Sequence, residues 1–143
     1  MKVITIPILS DNYSYLIIDK SKRSCSAIDP ASPEEIMPYL EKNKLYLKNI
    51  LNTHYHSDHT GGNLELKKKY KCKVFGPEKE KNQIPGIDIT LKENDSLNLK
   101  DYKAKIIETP GHTAGHIIYW FDKENIVFTG DTLFVLGCGR LFE

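Results

Sequence analysis

Apolar and polar positions follow two different periods along this chain, and each change of period marks an element. Lys2 to Leu9 alternates in part and predicts a strand. Tyr13 to Asp19 and Ser24 to Asp29 predict two more, separated by the turn-like Lys20-Ser21-Lys22-Arg23. Ser32-Pro33-Glu34-Glu35 predicts a helix start, with a serine N-cap, proline at the first helical position and acids facing the positive helix end. Ile36, Met37 and Leu40 give that helix one buried face, to about Lys42. A short apolar strand follows from Asn49 to Asn52. Thr60 to Tyr70, with Gly61-Gly62 near its start, predicts a second helix. Strands are expected at Lys73 to Phe75, Ile87 to Leu91, Ser96 to Leu99 and Lys103 to Glu108. A hairpin pairs Ile117 to Phe121 with Asn125 to Phe128 around Asp122-Lys123-Glu124. Strands outnumber helices, so the expected fold class is α+β, or a layered αββα arrangement.

The 143 residues suffice for one domain with a real core, and no internal repeat or flexible linker divides them. The net charge of +1 offers no bulk electrostatic case for nucleic acid or a membrane surface. Lys67-Lys68-Lys69 reads as a solvated helix face. No apolar run approaches the roughly 20 residues that span a bilayer. Cys25, Cys72 and Cys138 are few, odd in number and widely spaced, as expected of reduced thiols in a cytoplasmic protein and not of a disulfide frame. Cys138, between two glycines, reads as a small buried side chain in a tight loop. Trp120 reads as a packing residue in its strand.

The chemistry concentrates in two segments that hold all five histidines. The first is His54-Tyr55-His56-Ser57-Asp58-His59; the second contains His112 and His116, and Asp131 follows in Gly130-Asp131-Thr132. Imidazole and carboxylate suit a borderline ion such as zinc, and also iron or manganese. His54 and His56, two apart at a strand end, would point to one side and could share one ion. Each candidate ligand lies at a strand end, where loops gather to form sites. Bland readings stand beside the sharp ones: Asp58 as a helix cap, Asp29 before Pro30 as a turn residue, Arg140 as a surface cation, and His116 as a packing or hydrogen-bonding residue.

These residues resemble the metallo-β-lactamase superfamily, whose signature is the His-x-His-x-Asp-His run. Within it the chain is similar to glyoxalase II, the hydroxyacylglutathione hydrolases. The resemblance rests on Asp11 to Ile17, Thr53 to Asn63, Thr109 to His116, and Gly130 to Phe134 with Gly137 to Glu143. It implies an αββα sandwich of which this chain is the N-terminal portion, one metallo-β-lactamase-like domain over residues 1–143 without the helical C-terminal domain. It implies that His54, His56 and His112 hold one Zn2+, that Asp58 and His59 hold a second, and that Asp131 bridges them. Asp58 would also help deprotonate the attacking water. Asp29 would orient a ligand from behind, and Arg140 and Phe142 would hold the glutathione part of a thioester substrate.

The implied reaction is hydrolysis of S-2-hydroxyacylglutathione thioesters, S-lactoylglutathione to glutathione and D-lactate, a step of methylglyoxal detoxification. Two other readings stand beside it. An iron-dependent persulfide dioxygenase would use His54, His112 and Asp131 as a facial triad. A metal-binding fragment with impaired catalysis would follow from the missing second half, as would self-association through an uncovered sheet face.

Overall fold

In the computed structural model, which describes residues 1–141, two β-sheets stack face to face and helices cover one outer side. The larger sheet runs in chain order: β1 (Lys2–Ile8), β2 (Asn12–Ile18), β3 (Ser24–Ile28), β4 (Tyr46–Leu51), β5 (Lys73–Pro77) and β6 (Ile89–Leu91). Its first three strands pair antiparallel and β3 to β6 pair parallel. The smaller sheet is an antiparallel meander of β7 (Ser96–Leu99), β8 (Tyr102–Glu108), β9 (Ile117–Phe121) and β10 (Ile126–Phe128).

The parallel pairs need crossovers, and helices supply the first two. Helix α1 (Pro33–Lys42) links β3 to β4; α2 (Ser57–Thr60) and α3 (Asn63–Tyr70) link β4 to β5. Ile36 and Leu40 of α1 and Leu66 of α3 are fully buried against Ile6, Leu16, Ala27, Leu47, Ile50 and Val74 of the large sheet. Burying each such Leu or Ile contributes about 1.5–3 kcal/mol. Strand alternation sends the opposite residues, Ile17, Ile28 and Leu51, toward the small sheet. There they meet Leu97, Leu99, Ala104, Ile106, Tyr119, Phe121 and Phe128.

Several boundaries differ from expectation. The second helix is two pieces, because the Gly62 amide leaves the helix ladder and donates to the Pro30 carbonyl (3.0 Å). Strand β4 begins three residues earlier than its apolar run, at Tyr46, where the tyrosine amide pairs with the Arg23 carbonyl (2.9 Å). Ser32 is the N-cap residue of α1, but its hydroxyl donates to Glu34 (2.8 Å) and not to a helix amide. Trp120 packs in no core: it is 40% exposed on the outside of the small sheet, where the Lys105 ammonium sits 5.0 Å from its ring. Val127 lies beside it in the register, and among the described residues no helix crosses that face. Cys138 is exposed, because Gly137 to Gly139 skirts the surface. Both sheets of the sandwich are therefore present, and the uncovered face is the outside of the smaller one. Among the described residues no helix is long and apolar enough to cross a membrane.

Candidate metal centre

The ends of β3, β4, β8 and β10 meet at one edge of the sandwich. Asp29 follows β3, the segment Asn52 to His59 follows β4, the loop Thr109 to His116 follows β8, and Asp131 sits in a 3-10 turn after β10. Two contacts lock this edge across the sheets: the Tyr119 hydroxyl donates to the Asn52 carbonyl (2.8 Å) and the Ile117 amide to the Thr53 carbonyl (2.9 Å).

His54 and His56 stand beyond the strand, not on it, and His56 caps α2. Their rings still converge. The His56 Nδ1 lies 3.1 Å from His54 Nε2 and 3.0 Å from His112 Nε2. Three ring nitrogens thus face one point from two loops separated by 56 residues. A second group forms alongside. His59 Nε2 lies 3.2 Å from one oxygen of Asp131 and 3.5 Å from Asp58 Oδ2, while the other Asp131 oxygen lies 3.2 Å from His112 Nε2. The geometry gathers two overlapping sets of donors, His54, His56 and His112 in one, His54, His59 and Asp131 in the other.

The ring tautomers follow from what stands behind each ring. A carbonyl only accepts, so His112 Nδ1–H donates to the Arg140 carbonyl (2.7 Å) and Nε2 carries the lone pair. His59 Nδ1–H donates to Asp29 (3.1 Å). The Thr53 hydroxyl gives its one proton to Asp29 (2.7 Å), so it accepts from His54 Nδ1–H (3.0 Å). Asp29 also takes the Thr53 amide (2.8 Å). Nε2 of His54, His59 and His112 is thereby aimed inward, the atom that a metal-binding imidazole offers; His59 Nε2 faces the Asp131 and Asp58 carboxylates and gives up its proton before it can bind an ion.

The electrostatics divide the cluster. Burial, with His59, His116, His56 and His112 close by, pushes the His54 imidazole far below its ordinary pKa; burial and His112 lower His56 as well. Both shifts favour the neutral, electron-pair-donating form of these two rings. On the other side burial opposes charge on His59, yet Asp29 beside it and hydrogen bonds to Asp131, Asp29 and Asp58 raise it to about 12. The hydrogen bond with His59 lowers Asp58, and for Asp131 the same partner outweighs the cost of burial. One imidazole among three carboxylates leaves an excess of negative charge that a cation would balance. The donor chemistry on both sides fits divalent ions.

Three further groups, Thr53, His116 and Gly130, complete the site. Thr53 relays between Asp29 and His54. His116 has no place in either donor group; its Nε2 accepts the Asp131 amide (3.2 Å), and its Nδ1 lies 3.0 Å from Thr109 Oγ1 and 3.1 Å from Thr132 Oγ1. Its hydrogen-bonding reading therefore holds, and burial lowers it to about 4, which keeps it neutral. Gly130 makes the approach feasible: at φ +47 a Cβ would fall 2.5 Å from Thr53 Oγ1. Asp29, with φ +45, is both the turn residue and the support behind two rings. Arg140 is exposed, and its carbonyl stands behind His112. Phe142 lies outside the described residues.

Fold and site together define an α+β scaffold whose loops gather two overlapping sets of candidate metal donors. The chain belongs to the metallo-beta-lactamase superfamily, whose family description matches residues 11–143. Among curated proteins it is similar to the hydroxyacylglutathione hydrolase of Pelagibacter ubique, with 50% identity over all 143 residues, which are 60% of that protein. It is similar also to the hydroxyacylglutathione hydrolase of Methylococcus capsulatus, with 43% identity over all 143 residues, 56% of that protein. The chain thus spans little more than half the length of the curated relatives it matches. Among solved structures, the BLEG-1 B3 metallo-beta-lactamase superposes with a TM-score of 0.89 at 25% identity, covering 97% of this chain and 76% of that one. ETHE1 from Myxococcus xanthus superposes with a TM-score of 0.81 at 29% identity, covering 98% and 61%. The chain is the N-terminal portion of the fold.

Proposed function

We propose that this chain carries the metal centre of a hydroxyacylglutathione hydrolase, which converts S-2-hydroxyacylglutathione thioesters such as S-lactoylglutathione to glutathione and the hydroxy acid D-lactate. The observation that carries this reading is the 50% identity to one such hydrolase along the whole chain, beside two overlapping groups of histidine and carboxylate donors. Zinc, up to two ions, is the proposed cofactor; the same donors accept iron or manganese. A bound divalent ion supplies a nucleophile from water near neutral pH and polarises the thioester carbonyl.

The chain's own residues do the rest. His54, His56 and His112 present ring nitrogens to one point, and Asp131 reaches both groups with separate oxygens. Asp58, whose side chain is half-exposed beside His59, serves as the proton acceptor. Asp29 holds His54 through Thr53 and His59 directly. Arg140, whose carbonyl stands behind His112 and whose side chain is exposed, would meet the glutathione carboxylates, and Phe142 is proposed as a substrate contact from its sequence position alone.

The test is a zinc-loaded preparation of the chain given S-lactoylglutathione, with thioester loss and glutathione release followed together. Matched release of both supports the hydrolase. Oxygen uptake with glutathione persulfide by an iron-loaded sample, without thioester loss, would establish the dioxygenase instead. Metal uptake with neither reaction would leave the chain a binding fragment.

A further inference from the structure

Outside the donor groups lies a buried acid that the proposed hydrolysis does not use. Glu80 closes a 3-10 turn (Glu78–Glu80) just after β5 and is 3% exposed. Its Oε1 accepts both the Thr113 hydroxyl and the Gly115 amide (3.0 Å). These two donors sit one and three residues past His112, and both residues are buried. The seat is close-fitting: a Cβ on Gly115 would lie 2.6 Å from Glu80 Cγ and 2.9 Å from Oε1. The preceding residue, Lys79, pairs with Glu108, the residue before the same loop. One short turn of the large sheet therefore grips both ends of a loop that belongs to the small sheet.

We propose that Glu80 is a positioning residue for the His112 arm of the metal centre, acting through Thr113 and Gly115. The proposal rests on the metal-centre reading above. A buried carboxylate is a costly way merely to fill space. Here one oxygen satisfies two buried donors, and the loop they belong to must hold His112 Nε2 3.0 Å from His56 Nδ1 and 3.2 Å from Asp131. Without Glu80, the hydroxyl and the amide lose their acceptor, and the loop turns toward other partners. His112 then leaves the point where the three rings meet. The acceptor atom matters more than its charge, so a glutamine, which keeps an oxygen at the same reach, retains most of the effect.

The experiment uses the whole chain as wild type, E80A, E80Q and T113V. Zinc affinity is read by chelator competition, and the visible absorption of Co2+ reports ring geometry at the site. We expect E80A to bind zinc about tenfold more weakly or worse and to show an altered Co2+ spectrum. We expect E80Q to stay within about threefold of wild type and T113V to fall between. Far-UV circular dichroism identifies variants that fail to fold; if E80A is one, T113V decides. Wild-type affinity and spectrum in E80A, or in T113V where E80A does not fold, overturns the role, as does an equal loss in E80Q and E80A. A wild-type chain that binds neither zinc nor Co2+ overturns the metal-centre reading itself, which is a distinct result.

Discussion

Asn12 reaches across 46 residues of sequence to Asp58: its side-chain amide donates to the Asp58 carbonyl (2.8 Å) and lies 3.4 Å from the Asp58 carboxylate. The first residue of β2 thus sets the start of α2, where Asp58 and His59 face the site. Replacing Asn12 by alanine removes a contact behind a candidate ligand. N12A is expected to weaken uptake of a second zinc ion by about tenfold while the first changes little. Stepwise zinc titration checks this, and an unchanged second step would refute the link.

Asp131 is the group that touches both halves of the site, through one oxygen each. D131N keeps one acceptor oxygen and loses the charge. It is expected to bind at most one ion and to lose at least tenfold in affinity. Stability reports the same event. Zinc at a hundred times its dissociation constant should stabilise the wild type by about 2.7 kcal/mol per site. The D131N variant should show a smaller zinc-dependent rise in melting temperature, and an equal rise in both would remove Asp131 from the metal sites.

Gly130 separates Asp131 from its strand with φ +47 and the ring of His116 close by, where a Cβ would lie 2.7 Å from Nε2. An alanine there meets backbone strain of about 1–3 kcal/mol in addition to the clash. G130A is expected to lose at least that much stability in urea denaturation and to lose zinc affinity with it. A variant as stable as wild type would show that the turn relaxes without cost.

Far from the site, Asp19 ties the two sheets together. It accepts from Ser21 (2.8 Å), Ser24 (2.5 Å), the Arg23 amide (3.1 Å) and the Lys100 ammonium (2.8 Å). Burial alone would raise this carboxyl, but the Lys100 and serine hydrogen bonds outweigh it and hold it well below the usual carboxylate range. A depressed folded pKa stabilises the protein above the unfolded value near 4, and that contribution fades as pH falls toward the folded one. D19N should cost about 1–3 kcal/mol at pH 7. The gap from wild type should narrow by about 1 kcal/mol between pH 5 and pH 3. Denaturant curves at the two pH values measure it, and a constant gap would exclude the linkage.

Much of the site was legible beforehand because its signals are local. The spacing of His54, His56, Asp58 and His59, and the glycine turns ahead of His112 and Asp131, depend on chain geometry within a few residues. Strand periods were legible for the same reason, since one face of each strand must be apolar. Only the tertiary structure decided which nitrogens meet, that Thr53 passes the hold of Asp29 on to His54, that His116 carries the Asp131 amide, and that Glu80 reaches the His112 loop. It also decided that Trp120 and Cys138 face outward, where composition had favoured burial. These relationships join residues far apart in the chain. They depend on how two sheets stack and where their edges coincide, and no local spacing encodes that.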